Sequence, residues 1–143
     1  MLFLSIHPEY VQAILEGRKT VELRKRRPRA EVGSTVVIYA TTPQCEVVAT
    51  AIVARVQIDE PAELWRLVRD TTAVSKKAYD EYFAGTDTAV GIHLSQIRRF
   101  DVPIPLGDLR ERWRGFHPPQ QFRYLSDQQQ ELISLRGSTE IST

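Results

Sequence analysis

A long apolar run near the middle of the chain restricts the available folds most strongly. After Glu46, residues 47–58 read Val-Val-Ala-Thr-Ala-Ile-Val-Ala-Arg-Val-Gln-Ile. The run is rich in β-branched residues and is apolar on both faces for much of its length. This pattern favours a strand that curves through a small barrel over a strand with one face in water.

Shorter elements flank this run on both sides. Pro8 suits the first position of a helix, Val11, Ile14 and Leu15 form one buried stripe along it, and Gly17 ends it. The strands lack the regular crossover helices of a doubly wound sheet. The sequence therefore predicts an α+β fold, a small mixed β-barrel with flanking helices. The other predicted elements are strands over residues 20–24, 35–41 and 88–94, an extended edge segment over 98–105, helical turns over 106–113, and helices beginning at Pro61, after Ser75 and after a Ser126–Gln129 capping box.

The 143 residues correspond in length to a single domain. We expect it to span residues 1–137, with a core over about 2–100, an extension over 101–137 and a loose polar tail over 138–143. Cys45 is the only cysteine, so the chain can form no intramolecular disulfide, and we expect a cytoplasmic location. No membrane span, metal site or nucleotide cofactor is expected, because long apolar stretches, clustered ligands and glycine motifs are all missing from the sequence.

The charges are distributed unevenly along the chain. The net charge is only +1, but residues 18–29 hold seven lysines and arginines and a single carboxylate, Glu22, which gives this segment +6. The other 131 residues therefore carry −5. A basic strip of this kind attracts phosphates. It is equally typical of a strand edge that is protected against aggregation, so composition alone leaves both interpretations open.

Glu22 lies among the cations of this basic strip and allows a more specific interpretation of it. On a strand, Glu22, Arg24 and Arg26 project from one face, and Lys19 lies at the junction between helix and strand. A carboxylate among cations stays ionised, orients them and can accept hydrogen bonds from the edge of a base. The alternative is a ladder of surface ion pairs, each worth roughly 0–1 kcal/mol.

The residues from Gly17 to Arg24 resemble the Gly-x-Lys-x-x-Glu-x-Arg signature of ASCH domains, the activating-signal-cointegrator homology family. Leu4–Tyr10 and Tyr39–Pro43 are also similar to segments of that family. The resemblance covers about residues 2–100 and continues through Pro118–Phe122 in a bacterial subgroup. It implies a PUA-like fold, in which helices lie beside a cleft in a small barrel.

The resemblance implies that Lys19, Glu22 and Arg24 line this cleft and that the ligand is RNA or a nucleotide. Aromatic side chains can stack on bases and glutamine amides can bond to base edges, which adds residues from outside the signature. The candidate ligand-binding residues are Lys19, Glu22, Arg24, Arg26, His7, Tyr39, Thr41, Gln120 and Phe122.

Some members of the family are enzymes, so a hydrolase is the alternative function, with Lys19 and Glu22 as catalytic residues. One branch has ribonuclease activity, and another hydrolyses N4-acetylcytidine with a lysine, a threonine and a glutamate. Lys19 matches that lysine, but Glu22 stands at the threonine position and Thr20 is out of register. This departure argues against the amidohydrolase. A third interpretation is a regulatory module whose basic strip docks an acidic protein.

Overall fold

The computed structural model describes residues 1–137 and 141–142, and shows a mixed sheet curled into a half-barrel with five helices against it. The strands are β1 (Leu2–Ile6), β2 (Val21–Arg24), β3 (Thr35–Ala40), β4 (Glu46–Asp59), β5 (Ala89–Pro105), β6 (Phe122–Tyr124) and β7 (Ile141–Ser142). The helices are α1 (Pro8–Leu15), α2 (Pro61–Val68), α3 (Lys76–Phe83), α4 (Leu106–Arg112) and α5 (Asp127–Gly137). The α+β prediction is confirmed.

The strands lie in the order β2-β5-β4-β3-β1-β6, and β7 pairs with β5. β1 and β3 are parallel, with Leu2 opposite Val36, and the other pairs are antiparallel. β1 lies between β3 and β6, and all five of its residues are buried. The first strand of the chain is therefore an interior strand of the sheet.

The predicted long strand is confirmed as β4, which pairs with β5 along its length. Three register shifts interrupt this pairing. Each such irregularity bends the strand and increases its twist, which accounts for the curl of the sheet. The extended segment predicted over residues 98–105 is the second half of β5 and remains paired with β4.

Both faces of the sheet carry apolar cores because side chains alternate along each strand. Leu2, Leu4 and Ile6 of β1 pack with α1 in one cluster, whereas Phe3 packs with Trp113 and the α4 and α5 residues in a second. A third cluster joins the start of β2 to α2 and α3. α3 is thereby packed near β2, and the pocket described below opens between α1, β2 and α3.

Several local signals have the predicted geometry. Pro8 begins α1, the Ser75 hydroxyl accepts from the Ala78 N–H at 3.1 Å, and Ser126 and Gln129 form a reciprocal capping box. The sequence did not predict β6 as a strand. The tail predicted over residues 138–143 lies outside the described residues except for 141–142, whose backbone pairs with Arg98 and Arg99. No helix in the described part of the chain is long and apolar enough to cross a membrane.

Candidate functional site

A pocket of about 360 Å³ opens between α1, β2, α3 and the segment that precedes β6. This volume lies within the range of about 300–1,000 Å³ that is usual for small-molecule sites. The pocket is lined by Ser5, Ile6, His7, Tyr10, Lys19, Glu22, Leu23, Arg24, Val74, Ala78, Tyr79, Tyr82, Gln120 and Gln121.

Lys19 lies at the inner wall and is only 1% exposed. Gly17, with a positive φ of 82°, ends α1, and the Lys19 N–H then bonds back to the Ala13 carbonyl. The ammonium donates to the Thr72 carbonyl at 2.6 Å and lies 5.1 Å from the centre of the Tyr10 ring. Burial lowers the pKa of Lys19, the nearby Glu22 carboxylate opposes this shift, and Arg24 adds to it. Lys19 is thus a buried amine that releases its proton more readily than a surface lysine.

Glu22 and Arg24 are two residues apart on β2 and face the same side. Arg24 donates to the carbonyls of Ser5 at 3.0 Å and Gln121 at 2.9 Å. The Glu22 Oε1 accepts from the Leu23 N–H at 3.1 Å, and its Oε2 lies 3.9 Å from Arg24 Nη2. Arg24 therefore connects β2 to the end of β1 and to the segment before β6, which together form the pocket.

Four buried polar atoms around the pocket have no hydrogen-bond partner within residues 1–137 and 141–142. They are Ser5 Oγ, Glu22 Oε2, Arg24 Nε and Gln121 Oε1. Native proteins leave few buried polar atoms unpaired, because each costs about 1–3 kcal/mol. The set offers two acceptors, one donor and one hydroxyl that can be either. It is suited to a ligand with an edge of alternating polar groups.

Tyrosine rings form the less polar walls of the pocket. Tyr10 and Tyr82 are half-buried, and burial raises the pKa of both phenols, so the rings remain neutral. Lys25 lies with its ammonium 4.8 Å from the centre of the Tyr82 ring. Tyr79 is fixed by a bond from its hydroxyl to the Pro61 carbonyl at 2.6 Å. The rings are held in place as flat apolar surfaces.

Five of the candidate residues lie around this pocket, namely Lys19, Glu22, Arg24, His7 and Gln120. The other four lie outside its lining. Arg26 follows the end of β2, so the strand alternation that aligns Glu22 with Arg24 does not reach it, and Arg26 is exposed. Tyr39 is buried beside Phe3, Thr41 follows β3, and Phe122 packs against the core next to α1.

Sequence reasoning missed other lining residues. Ser5 is the one polar residue in the apolar strand Leu2–Ile6, and that contrast could have identified it. Tyr10 and Gln121 lie within Leu4–Tyr10 and Pro118–Phe122, two segments that resemble the family, but neither was among the candidate residues. Tyr79, Tyr82 and Phe83 have the helical spacing that is typical of core residues, and Tyr79 and Phe83 are buried, but Tyr79 and the half-buried Tyr82 also line the pocket.

His7 is the histidine that lines the pocket. His93 is not in the pocket lining. Its Nε2 lies 3.0 Å from the Gln57 side-chain oxygen, and burial together with Arg55 lowers the pKa of its imidazole. Within the described residues, no group of three or more histidine, cysteine or acidic side chains is placed to hold a metal ion.

Comparisons with known proteins agree with this architecture. The profile of the ASCH domain matches residues 4–101. An ASCH domain-containing ribonuclease of Zymomonas mobilis is 33% identical over 138 residues, which cover 96% of this chain and 93% of that protein. A crystal structure of ASCH from Zymomonas mobilis superposes with a TM-score of 0.88 at 32% identity, covering 94% of both chains. The N-terminal domain of McrB from Staphylothermus marinus, at 12% identity and a TM-score of 0.58, shares the fold over 94% of this chain and 93% of its own. The family profile, the similar sequence and the similar structure agree with one another, and the chain belongs to the ASCH domain family.

Proposed function

We propose that this ASCH domain binds RNA, and that its pocket takes up the base of one nucleotide. The observation that carries the proposal is the convergence of four unpartnered buried polar atoms between Tyr10 and Tyr82. Unpaired RNA bases are commonly recognised by stacking on aromatic rings together with hydrogen bonds to their edges.

The polar atoms suit a base better than a phosphate. Lys19 and Arg24 are buried and already donate to backbone carbonyls, and Glu22 places a negative charge beside them. An anionic phosphate would meet that carboxylate at short range, which is unfavourable. A base instead offers an exocyclic amine or ring N–H to Glu22 and a carbonyl or ring nitrogen to the free Nε of Arg24.

The test is a titration of short fluorescent single-stranded RNA with matched variants. Tyr82→Ala removes a stacking surface, and Tyr82→Phe keeps the ring. We expect Tyr82→Ala to weaken binding by about 5- to 150-fold, since stacking contributes about 1–3 kcal/mol per base, and Tyr82→Phe to remain close to wild type. Glu22→Gln is expected to weaken binding similarly, and Glu111→Gln, at an exposed position, to have no effect. Equal affinity in all of these proteins would rule the pocket out as the base-binding site.

Ribonuclease activity is the second candidate, favoured by the similarity to the Zymomonas mobilis ribonuclease along nearly the whole length of both chains. The lowered pKa of Lys19 fits a role as general base, with Glu22 modulating that pKa. Incubation with RNA and with acylated nucleosides, including N4-acetylcytidine, tests this directly. Cleavage of RNA that is lost in Lys19→Met, in protein with wild-type circular dichroism, supports the enzyme. Absence of product from every substrate contradicts it.

We also place the protein in the cytoplasm. Cys45 is half-buried and is the only cysteine of the chain, which suits a reducing compartment. RNA that is accessible for binding is present in the same compartment. Fractionation of cells that express a tagged full-length chain tests this, and recovery outside the cytoplasm would contradict it.

A further inference from the structure

We infer that the basic segment Lys25–Arg29, between β2 and β3, binds the sugar–phosphate backbone of the nucleotides next to the one in the pocket. The ligand is then a single-stranded RNA of several nucleotides rather than a free nucleoside. The inference rests on the proposed function, to which it adds a second contact surface.

The basic segment is anchored at both ends to aromatic rings. At one end the Lys25 ammonium lies 4.8 Å from the centre of the Tyr82 ring, which is itself a wall of the pocket. At the other end the Arg29 guanidinium lies 5.1 Å from the Tyr124 ring, and the Arg29 N–H donates to the Tyr124 hydroxyl at 2.6 Å. Pro28 between them is buried. The segment therefore has a fixed path that begins at the pocket and ends at β6.

The positive charge of this segment is not neutralised within the domain. Lys25, Arg26, Arg27 and Arg29 are all exposed, and none of them forms an ion pair with another described residue. At three places elsewhere, an exposed cation does pair with a nearby carboxylate at 2.6 Å. Those pairs are Arg18 with Glu16, Arg66 with Glu63 and Lys76 with Asp80. Four uncompensated cations on a short path suit contacts with several negatively charged backbone phosphates.

The cations of the pocket and those of the basic segment therefore differ in their surroundings. Lys19 and Arg24 are buried inside the pocket and bonded to carbonyls, while the segment offers its charges to solvent. Exposed Tyr124 and half-buried Tyr82 lie among these charges, and a basic groove interleaved with aromatic rings is typical of surfaces that bind single-stranded nucleic acid. This aromatic component favours RNA over an acidic protein as the partner.

The inference is tested with two double variants that remove equal charge. Arg26→Gln/Arg27→Gln changes exposed residues of the segment, and Arg112→Gln/Arg114→Gln changes exposed residues at the end of α4. Binding of a labelled ten-nucleotide RNA is measured at several salt concentrations between about 50 and 200 mM. We expect the first variant to bind about tenfold more weakly and to lower the salt slope by about 1.4, because each single-stranded phosphate contact contributes about 0.7. The control should match wild type.

The remaining outcomes separate the inference from the function on which it rests. One outcome is unchanged affinity and salt slope in Arg26→Gln/Arg27→Gln together with weaker binding in Tyr82→Ala. That outcome would contradict the phosphate-binding role of the basic segment and leave the pocket as the base-binding site. Weaker binding in Arg26→Gln/Arg27→Gln with unchanged binding in Tyr82→Ala would support the role of the basic segment and contradict the role of the pocket in base binding. Tighter binding of poly-L-glutamate than of RNA of equal charge would overturn the inference in favour of an acidic protein.

Discussion

Glu22 and Arg24 form an ion pair on β2 in which neither side chain is more than 8% exposed, with 3.9 Å between Oε2 and Nη2. Arg24 is also bonded to two carbonyls, but the Oε2 of Glu22 has no hydrogen bond from any described residue. A buried ion pair stabilises a fold only when its remaining hydrogen-bonding capacity is met. The carboxylate is therefore the least satisfied charged group in the pocket, and a bound ligand has most to gain there.

Glu22→Gln should lower the pKa of Lys19 further. The negative charge of Glu22 partly opposes the effect of burial on the Lys19 ammonium, so its removal leaves burial and Arg24 acting alone. Carbon-13 NMR of the lysine side chains across alkaline pH measures this. Glu63→Gln, on the exposed face of α2, should leave the Lys19 titration unchanged. A rise in the Lys19 pKa in Glu22→Gln would contradict the assignment.

Arg24→Met should destabilise the domain by about 3 kcal/mol. The substitution leaves the carbonyls of Ser5 and Gln121 without their donor and leaves Glu22 as an unpaired buried charge. Urea denaturation gives the free energy of unfolding. Arg26→Met is the matched control, because Arg26 is exposed two residues further along, and its effect should stay within about 0.5 kcal/mol. Similar losses in the two variants would show that Arg24 does not hold these segments together.

Two glycine-to-alanine substitutions should have opposite effects on stability. A methyl group at Gly91 in β5 would lie 3.1 Å from a Val21 side-chain carbon and 3.4 Å from one of Leu64, which are tight contacts in a packed core. We expect Gly91→Ala to cost about 1–2 kcal/mol. At Gly107, in α4, a methyl group meets nothing within 4 Å, so Gly107→Ala should stabilise by about 0.5 kcal/mol. Thermal unfolding of both variants measures whether each substitution lowers or raises the stability of the domain.

Alkaline titration should reveal two tyrosines with a pKa of about 12. Burial raises the pKa of both Tyr39 and Tyr79 to about 12. Unfolded tyrosine ionises near pH 10, so between about pH 10 and 12 the unfolded chain releases protons that the folded chain retains, and stability falls as pH rises. Phenolate absorbance measures the ionisation. Tyr39→Phe and Tyr79→Phe should each remove one of the late-titrating groups.

Sequence periodicity was sufficient for the local elements, and the resemblance to ASCH domains was sufficient for part of the pocket. The β-branched run at Glu46 gave β4, Pro8 and Gly17 bounded α1, and the lysine, glutamate and arginine of the signature all reached the pocket. These features depend on neighbours along the chain. Strand alternation could not place Arg26, because β2 ends at Arg24. That end is set by the pairing of β2 with β5.

Contacts between distant parts of the chain were the main features that could not be predicted from the sequence. β6 is three residues long and is defined by its pairing with β1, so its own sequence gives little signal. Ser5 and Gln121 enter the pocket because Arg24 binds both of their carbonyls. Tyr39 alternates to the side of the sheet that packs on Phe3, and only the position of that second core decides this.

The position of β1 inside the sheet has a consequence for the order of folding. β1 pairs with β6, so the first strand of the chain meets a partner about 120 positions later, and Gln120 and Gln121 of the pocket wall immediately precede that partner. Closing so long a loop is slow compared with forming helices or hairpins. A ribosome-bound chain that has not yet released β6 lacks one wall of the pocket. The complete pocket therefore forms only when synthesis has passed that strand.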